Sequence, residues 1–347
     1  MYTLKVVDVR QETEDTVTLC FKQPLLRKVT YKAGQYLTLI FRINGRRYIR
    51  PYSFSSAPGV DSSLDVTVKR VIGGIVSNHI IDEVKIGDSI EVLPPMGDFI
   101  FEPTLYPELK HIYLWGAGSG ITPLFSITKH ILVNHPHLSL TLVYGNRSHE
   151  SAIFHNKILE LEQNYPQQLK IWHFHTKLKV SENDNPYLIQ GRINPSKVLA
   201  VMEDENHIQS VVHYICGPAG LKESVKEALS NIGTTAPQIF SEDFELVKNP
   251  KDFEGIKTQH VEISLNQVTT KVEVIKGKSI LEAGLDASVE LNYSCQTGNC
   301  TVCKGKVVSG EVKTIGPEKL PEDLALDEYL LCCSYPLTEN VKIEVTP

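Results

Sequence analysis

The chain has 347 residues, of which 41% are hydrophobic and 22% charged, and its formal net charge is −6. This length is more than one ordinary hydrophobic core organises, so we expect two or three globular domains. A negative chain without a basic footprint does not fit a nucleic-acid-binding protein. No apolar run reaches the ~18 residues that a membrane-spanning helix needs.

Residues 1–105 have the pattern of a small antiparallel β-barrel. Short runs such as Thr16–Phe21, Tyr36–Phe41 and Leu64–Val71 have the composition of strands. The Asn44–Gly45 pair that follows the second run is a two-residue hairpin signal. Because the opening residues already alternate like a strand, we expect no secretory leader and a cytoplasmic protein.

Two short motifs in this barrel suggest a cofactor with an aromatic ring and phosphate groups. Arg50, Tyr52 and Ser53 lie side by side at a strand end, where a guanidinium pairs with phosphate, a phenol ring stacks and a hydroxyl hydrogen-bonds. Residues Gly73–Ser77 lead into a helix, whose first N–H groups bind a second phosphate. Taken singly, each motif is better explained by a surface charge, a core aromatic residue or a glycine hairpin.

Residues 106–245 alternate between strands and helices, which predicts a parallel sheet covered by helices on both faces. The ligand of such a sheet binds at the carboxyl ends of the strands. The expected strands are His111–Trp115, Leu138–Tyr144, Leu169–Phe174 and Val211–Ile215, with helices near Ile153–Gln163 and Leu221–Asn231.

A glycine-rich turn follows the first of these strands and runs from Gly116 to Pro123. It departs from the usual dinucleotide fingerprint, because Ile121 occupies the place of the third glycine. After the second strand the chain presents Arg147 instead of an acidic residue, and an arginine suits the 2′-phosphate of NADP. The sequence therefore predicts NADPH as the donor, with NADH as the alternative.

The last third of the chain begins with a charged linker at residues 246–257, and residues 258–347 form the third predicted domain. Strands at His260–Leu265 and Thr270–Val274 form a hairpin. Ser279 caps a helix that ends near Ala287, with Glu282 at the capping-box position.

Cys295, Cys300 and Cys303 follow this helix in a C-x4-C-x2-C run, and Cys332 follows after 28 intervening residues. This spacing is the plant-type 2Fe-2S pattern. A zinc site normally has two C-x2-C pairs, and a disulfide framework is typical of small secreted domains. Cys333 is the rival fourth ligand. Thiols that act as ligands also suit a reducing cytoplasm.

In this order the motifs resemble the ferredoxin–NADP reductase superfamily with a C-terminal plant-type ferredoxin domain of the β-grasp fold. The resemblance implies an FAD lined by Arg50, Tyr52, Ser53, Lys69, Gly74, Ile75 and Ser77. It implies that the nucleotide contacts Gly118, Gly120, Thr122, Pro123, Arg147, Cys216, Gly217 and Pro218. Tyr52, Ser53 and Cys216 are then nearest the reacting atoms, and Glu242 and Phe244 meet the flavin ring. The L-x-C-x3-P register at Leu330–Pro336 favours Cys332 as the fourth ligand.

The resemblance also implies the reaction. A hydride passes from NADPH to FAD, and single electrons pass to the 2Fe-2S cluster and then to a protein acceptor. That acceptor is expected to be an oxygenase component such as phenylacetyl-CoA epoxidase. The alternatives are a general ferredoxin or flavodoxin reductase and the reductase of a Rieske-type oxygenase. A redox-sensing regulatory protein, from a different class, would turn NADPH over slowly or not at all. Without its neighbours, Cys216 would be explained as a buried apolar thiol.

Overall fold

The computed structural model describes residues 1–25, 27–177, 186–203, 205, 208–246, 248–317 and 319–346. The chain divides into two compact units, Met1–Glu242 and Asp243–Pro347. None of the helices in these described ranges is both long enough and apolar enough to cross a membrane.

An antiparallel barrel forms the first part of the first unit, as predicted. Its elements are β1 (Tyr2–Thr13), β2 (Thr16–Phe21), β3 (Tyr36–Ile43), β4 (Arg46–Ser53), β5 (Leu64–Lys69), α1 (Ile75–Glu83) and β6 (Ser89–Val92). The strand order is β4-β3-β6-β1-β2-β5. An isolated bridge between Phe54 and Val66 joins the two ends of this sheet and closes it. Asn44 and Gly45 both have positive φ, which the predicted two-residue hairpin requires.

A parallel sheet forms the rest of the first unit. Its elements are β7 (His111–Ala117), α2 (Ile121–Asn134), β8 (Ser139–Asn146), α3 (His155–Asn164), β9 (Leu169–His175), β10 (Leu188–Gln190), α4 (Pro195–Val201), β11 (Val211–Cys216), α5 (Leu221–Asn231) and β12 (Ile239–Glu242). The strand order is β10-β9-β8-β7-β11-β12. The strands β8 to β10 lie on one side of β7 and the later strands β11 and β12 lie on the other, so the switch point is between β7 and β11. A parallel sheet binds its ligand at such a switch point, outside the carboxyl ends of the strands. Apolar layers cover both faces of the sheet.

The second unit contains a mixed five-stranded sheet, one helix and a two-stranded ribbon. Its elements are β13 (Gln259–Leu265), β14 (Val268–Val274), α6 (Ile280–Asp286), β15 (Lys304–Ser309), β16 (Val312–Thr314), β17 (Glu328–Leu330), β18 (Ser334–Pro336) and β19 (Val341–Val345). The sheet order is β14-β13-β19-β15-β17, and β16 pairs with β18. The Ser279 hydroxyl accepts from Glu282 N (3.2 Å), and the Glu282 carboxylate accepts from Ser279 N (2.7 Å). The predicted capping box is therefore present.

Short 3-10 helices connect several of these elements. They span Pro103–Leu105, Gly118–Gly120, His149–Ser151, Ile208–Ser210, Ala236–Gln238, Pro250–Phe253 and Leu331–Cys333.

The predicted linker folds onto the second unit over the part that the structure describes, which leaves out residue 247. Ile256 is buried against Ile315 and Tyr335, and the Phe253 ring meets the Tyr335 ring edge-on at 5.0 Å. Lys313 donates to the backbone carbonyl of Asp252 (2.6 Å). This packing fixes one end of the segment, and the three-domain boundaries drawn from the sequence stay a prediction.

Candidate functional site

The end of β4 carries the first predicted flavin motif. Arg50 and Tyr52 lie on one face of the strand and are partly exposed, whereas Ser53 points the other way and is buried. Burial raises the pKa of the Tyr52 hydroxyl, which therefore stays neutral and available as a hydrogen-bonding group. The Arg50 guanidinium donates to the neighbouring Ile49 carbonyl (2.8 Å). A ring and a cation are thus presented together at one strand end.

The turn before α1 supplies the second flavin motif. Gly74 precedes α1, and no side chain caps the helix, so its first N–H groups remain available for an anion. A Cβ on Gly74 would lie 2.7 Å from the Ser77 hydroxyl oxygen. That hydroxyl accepts from Val71 N (3.1 Å), so Ser77 holds the turn in shape. Ile75, the first residue of α1, is half exposed.

Lys69 has a partner that the sequence pattern did not reveal. Its ammonium group lies 3.3 Å from the Asp15 carboxylate. Both side chains are partly exposed, so the pair is held only weakly. Lys69 reaches a phosphate only by exchanging this carboxylate for it.

The nucleotide motifs meet at the switch point between β7 and β11. Gly116 and Cys216 are paired in register at the ends of these strands. A Cβ on Gly120 would lie 2.0 Å from the Cys216 carbonyl oxygen, and a Cβ on Gly217 would lie 3.2 Å from the Ala117 nitrogen. Only glycine allows the two loops to approach so closely. Together they form a cradle lined with backbone atoms, which fits a dinucleotide pyrophosphate.

Thr122, Pro123 and Pro218 are further predicted residues of these two turns. The Thr122 hydroxyl donates to the Ser119 carbonyl (3.0 Å) and closes the glycine turn, so it binds a nucleotide only through a second lone pair or after rotation. Pro123 is buried in the first turn of α2. The Cys216 side chain is buried, and Gly217 and Pro218 follow it.

Glu242, the last residue of β12, is paired in register with Cys216. Phe244 belongs to the second unit and is 45% exposed.

Arg147 is exposed just beyond the end of β8, at the same edge of the sheet. The sequence analysis missed Lys177, whose backbone N–H donates to the Arg147 carbonyl (2.7 Å). Lys177 is also exposed, so two cations stand beside each other at the carboxyl ends of β8 and β9. The only sequence signal for Lys177 is its place two residues after the end of β9, and that place is informative only once the register of β8 and β9 is known.

The four predicted cluster ligands lie together in two pairs. Cys295 lies beside Cys300, and Cys303 lies beside Cys332. Two thiolates for each of two irons is the ligand set of a 2Fe-2S cluster. All seven cysteines have free thiols. In the part of the chain that the structure describes, no three His, Cys, Asp or Glu side chains are arranged to hold a single metal ion, as a zinc site would require.

The loop that carries three of these thiols turns its backbone N–H groups inward. Gln296 and Gly298 have positive φ (58° and 80°), which reverses the chain tightly, and Thr297 N lies 3.5 Å from the Cys295 sulfur. The neighbouring Cys300 thiol, with the N–H groups of Thr297 and Asn299, lowers the pKa of Cys295. The same N–H groups stabilise a thiolate that is bound to iron.

Cys333 has a different environment from Cys332. Its thiol donates to the Leu330 carbonyl (3.4 Å) and is fully buried, whereas the Cys332 sulfur lies beside both Cys303 and Cys333. The Cys333 thiol lies under the cluster loop, 3.6 Å from where a Cβ on Gly298 would be. Cys333 is thus close to the site but directed toward the backbone.

Known proteins match this arrangement along the whole chain. Residues 3–101 match an oxidoreductase FAD-binding domain, 114–227 an oxidoreductase NAD-binding domain and 263–337 a 2Fe-2S iron-sulfur cluster binding domain. One component of 1,2-phenylacetyl-CoA epoxidase from Escherichia coli (strain K12) is 30% identical over 353 residues, which cover 99% of this chain and 97% of that protein. The chain belongs to the ferredoxin reductase family and has FAD-binding, NAD-binding and 2Fe-2S domains.

A second relative and a solved structure agree with that assignment. The ferredoxin reductase component of 3-ketosteroid-9-alpha-monooxygenase from Rhodococcus rhodochrous is 31% identical, with 98% of this chain and 96% of that protein covered. Phthalate dioxygenase reductase has the same fold, with a TM-score of 0.67, 23% identity and coverage of 99% and 98% of the two chains. The predicted family, fold class and set of FAD, nicotinamide and 2Fe-2S domains are confirmed, and this member of the reductase family is an oxidoreductase.

Proposed function

We propose that this reductase supplies single electrons to an oxygenase component, taking them in pairs from NADPH. The observation that carries the proposal is the arrangement of Cys295 with Cys300 and of Cys303 with Cys332, in a chain that also has a nucleotide crevice. Such a chain needs one group that accepts two electrons together from the nucleotide and another group, the one-electron exit, that passes single electrons to the acceptor. When bound, FAD accepts the hydride and releases its electrons one at a time to the cluster.

The residues of the first unit bind and orient. Arg50 and the free N–H groups of α1 hold the flavin phosphates, with Ile75 beside them, and the Tyr52 ring stacks against the flavin while Ser53 hydrogen-bonds to it. The Gly118–Pro123 turn and the Cys216–Pro218 turn hold the nucleotide pyrophosphate and its nicotinamide end. Lys69, Gly74 and Ser77 support the flavin pocket, and Glu242 borders the flavin ring.

Arg147 and Lys177 favour NADPH over NADH as the donor. Two exposed cations at the end of β8 and β9 form the counter-charge that a ribose 2′-phosphate requires. NADH lacks this group and gains nothing from them.

In the second unit, Cys295, Cys300, Cys303 and Cys332 are the proposed iron ligands. The N–H groups of the loop, such as that of Thr297, stabilise the bound thiolates. Free thiols of this kind suit a reducing compartment, and we place the protein in the cytoplasm.

Phenylacetyl-CoA epoxidase is our first candidate for the acceptor, since one component of that enzyme matches this chain from end to end. Relatives that are components of ketosteroid and glycine betaine monooxygenases make another oxygenase the second candidate. A soluble ferredoxin or flavodoxin is the remaining acceptor class.

A Cys303→Ser variant tests the proposal. We expect NADPH to reduce the FAD at a rate within about twofold of the wild type, because the nucleotide crevice is in the other unit. Electron delivery to a one-electron acceptor such as cytochrome c should fall to background. Loss of FAD reduction in this variant, or unchanged delivery to the acceptor, would contradict the proposed route.

A further inference from the structure

The loop that follows β4 lies against one face of α2. We define it as the 54–61 loop, and it starts immediately after Ser53. On α2, Thr122, Ser126 and Lys129 have the spacing i, i+4 and i+7, which places them on one face of the helix. Thr122 is in the first turn, beside the nucleotide crevice. Ser126 and Lys129 are the next two residues along the same stripe.

Both of these residues are bound to the 54–61 loop. The Ser126 hydroxyl donates to the Ser56 carbonyl (2.6 Å), and both residues are fully buried. The Lys129 ammonium forms an ion pair with Asp61, and the lysine side chain is only 13% exposed. Asp61 also accepts from Ala57 N (2.6 Å), so one carboxylate holds the loop together and ties it to the helix.

Neither contact is easily replaced by water. A buried carbonyl that loses its donor stays unpaired, and a largely buried ammonium group that loses its carboxylate is left as an uncompensated charge. The loop therefore has one defined position on the helix.

These contacts connect the two halves of the reaction site. The loop is continuous with Tyr52 and Ser53, which we place at the flavin, and the helix is continuous with the turn that we place at the nucleotide. Hydride transfer needs its reacting atoms about 3–3.5 Å apart, and a displacement of about 1 Å costs on the order of a hundredfold in rate. The distance between the two motifs is therefore set by the contacts that join them.

We propose that Ser126 and Lys129 are positioning residues for hydride transfer. They lie outside both predicted binding motifs, and they hold α2 against the 54–61 loop so that the nicotinamide and the flavin meet at reacting distance. This inference rests on the proposed function, since it presumes that a hydride passes between these two motifs.

The test is rapid anaerobic mixing of Ser126→Ala and Lys129→Met, each in the full chain, with increasing NADPH. Flavin bleaching gives the hydride-transfer rate at saturation and the nucleotide Kd. We expect the rate to fall about tenfold to a hundredfold. The Kd should change by less than about twofold, because the glycine turns and Arg147 are unchanged. Lys129→Arg should recover most of the rate.

Thr128→Val is the matched control. Thr128 is as deeply buried on the same helix, but its hydroxyl donates to the Leu124 carbonyl (2.8 Å) within α2. We expect this variant to lower the melting temperature as Ser126→Ala does and to keep the wild-type rate. If Ser126→Ala loses its flavin, as absorbance would show, Lys129→Met decides alone.

Two results would overturn the inference: wild-type rates in both Ser126→Ala and Lys129→Met, or an equal slowing in Thr128→Val. Failure of the proposed function is distinguishable, since it appears in the wild-type protein as a flavin that neither nucleotide bleaches.

Discussion

The backbone carbonyl of Cys216 occupies the space that a side chain on Gly120 would need. A Cβ there would lie 2.0 Å from the carbonyl oxygen and 2.7 Å from the Gly217 nitrogen. The glycine turn after β7 and the Cys216–Pro218 turn after β11 are therefore in backbone contact. This contact forms the floor of the crevice at the switch point of the sheet.

Gly120→Ala should separate these two turns. The obstacle is backbone, not a flexible side chain, so one loop must move, and we expect a loss of about 1–3 kcal/mol in the free energy of unfolding. The nucleotide Kd should rise more than tenfold, which isothermal titration calorimetry with NADPH would detect. Gly145→Ala is the control, because a Cβ at Gly145 would lie no closer than 3.4 Å to any atom, which is ordinary van der Waals contact. An unchanged Kd in Gly120→Ala would contradict the crevice.

Removing the cations at the edge of the sheet should change the choice of donor. A charge-assisted hydrogen bond contributes about 1.5–3 kcal/mol, which corresponds to roughly ten- to a hundredfold. Arg147→Ala should therefore lower kcat/KM for NADPH by that factor and leave NADH within about twofold, and Lys177→Ala should have a smaller effect of the same kind. Lys110→Ala, an exposed lysine before β7 at the opposite edge, is the control. An unchanged ratio of NADPH to NADH in Arg147→Ala would remove the proposed preference.

The fourth cluster ligand can be identified by two neighbouring variants. Cys332→Ser should abolish the electron paramagnetic resonance signal of the reduced 2Fe-2S cluster, or shift it if serine replaces the thiolate. Cys333→Ser should retain the signal and the iron content, since the Cys333 thiol donates to the Leu330 carbonyl. Retention of the unchanged signal in Cys332→Ser, with loss in Cys333→Ser, would reverse the assignment.

Buried histidines make the first unit sensitive to acid. Burial lowers the pKa of His213 to about 3 and that of His173 to about 4, from an ordinary value near 6.5. Below pH 6.5 these two histidines are protonated in the unfolded chain and stay neutral in the folded chain. The free energy of unfolding therefore falls as the pH falls toward these pKa values. Each group should contribute a slope of about 1.4 kcal/mol per pH unit.

Urea unfolding followed by tryptophan fluorescence measures this slope, because both tryptophans, Trp115 and Trp172, are in the parallel sheet. His213→Gln should have a shallower slope between pH 6 and about pH 4. His260→Gln, an exposed histidine in the second unit, is the control. Equal slopes in the wild type and His213→Gln would show that His213 is not the group that resists protonation.

Local signals in the sequence were sufficient for most of the fold. The Asn44–Gly45 hairpin and the capping box of Ser279 and Glu282 depend on residues within four positions of one another, and both are present. The spacing of the cluster cysteines is likewise local for three of the four. Such features are readable because the chain geometry fixes them without reference to the rest of the molecule.

Contacts between residues that are far apart in the chain could not be predicted from the sequence. Lys177 adjoins Arg147 only because β8 and β9 pair in a particular register, and Ser126 meets Ser56 only after barrel and sheet have packed. The roles of Lys69 and Thr122 also depend on partners, Asp15 and the Ser119 carbonyl, that no motif specifies.

An anaerobic absorbance titration of the purified protein, with NADPH and NADH in parallel, tests the central claim most directly. We predict a flavin spectrum overlaid by a broad iron–sulfur band, with both bleaching rapidly on addition of NADPH and more slowly with NADH. A flavin spectrum without the iron–sulfur band would contradict the one-electron exit. Both bands present, with neither nucleotide able to bleach them, would contradict the reductase and favour a redox-sensing protein.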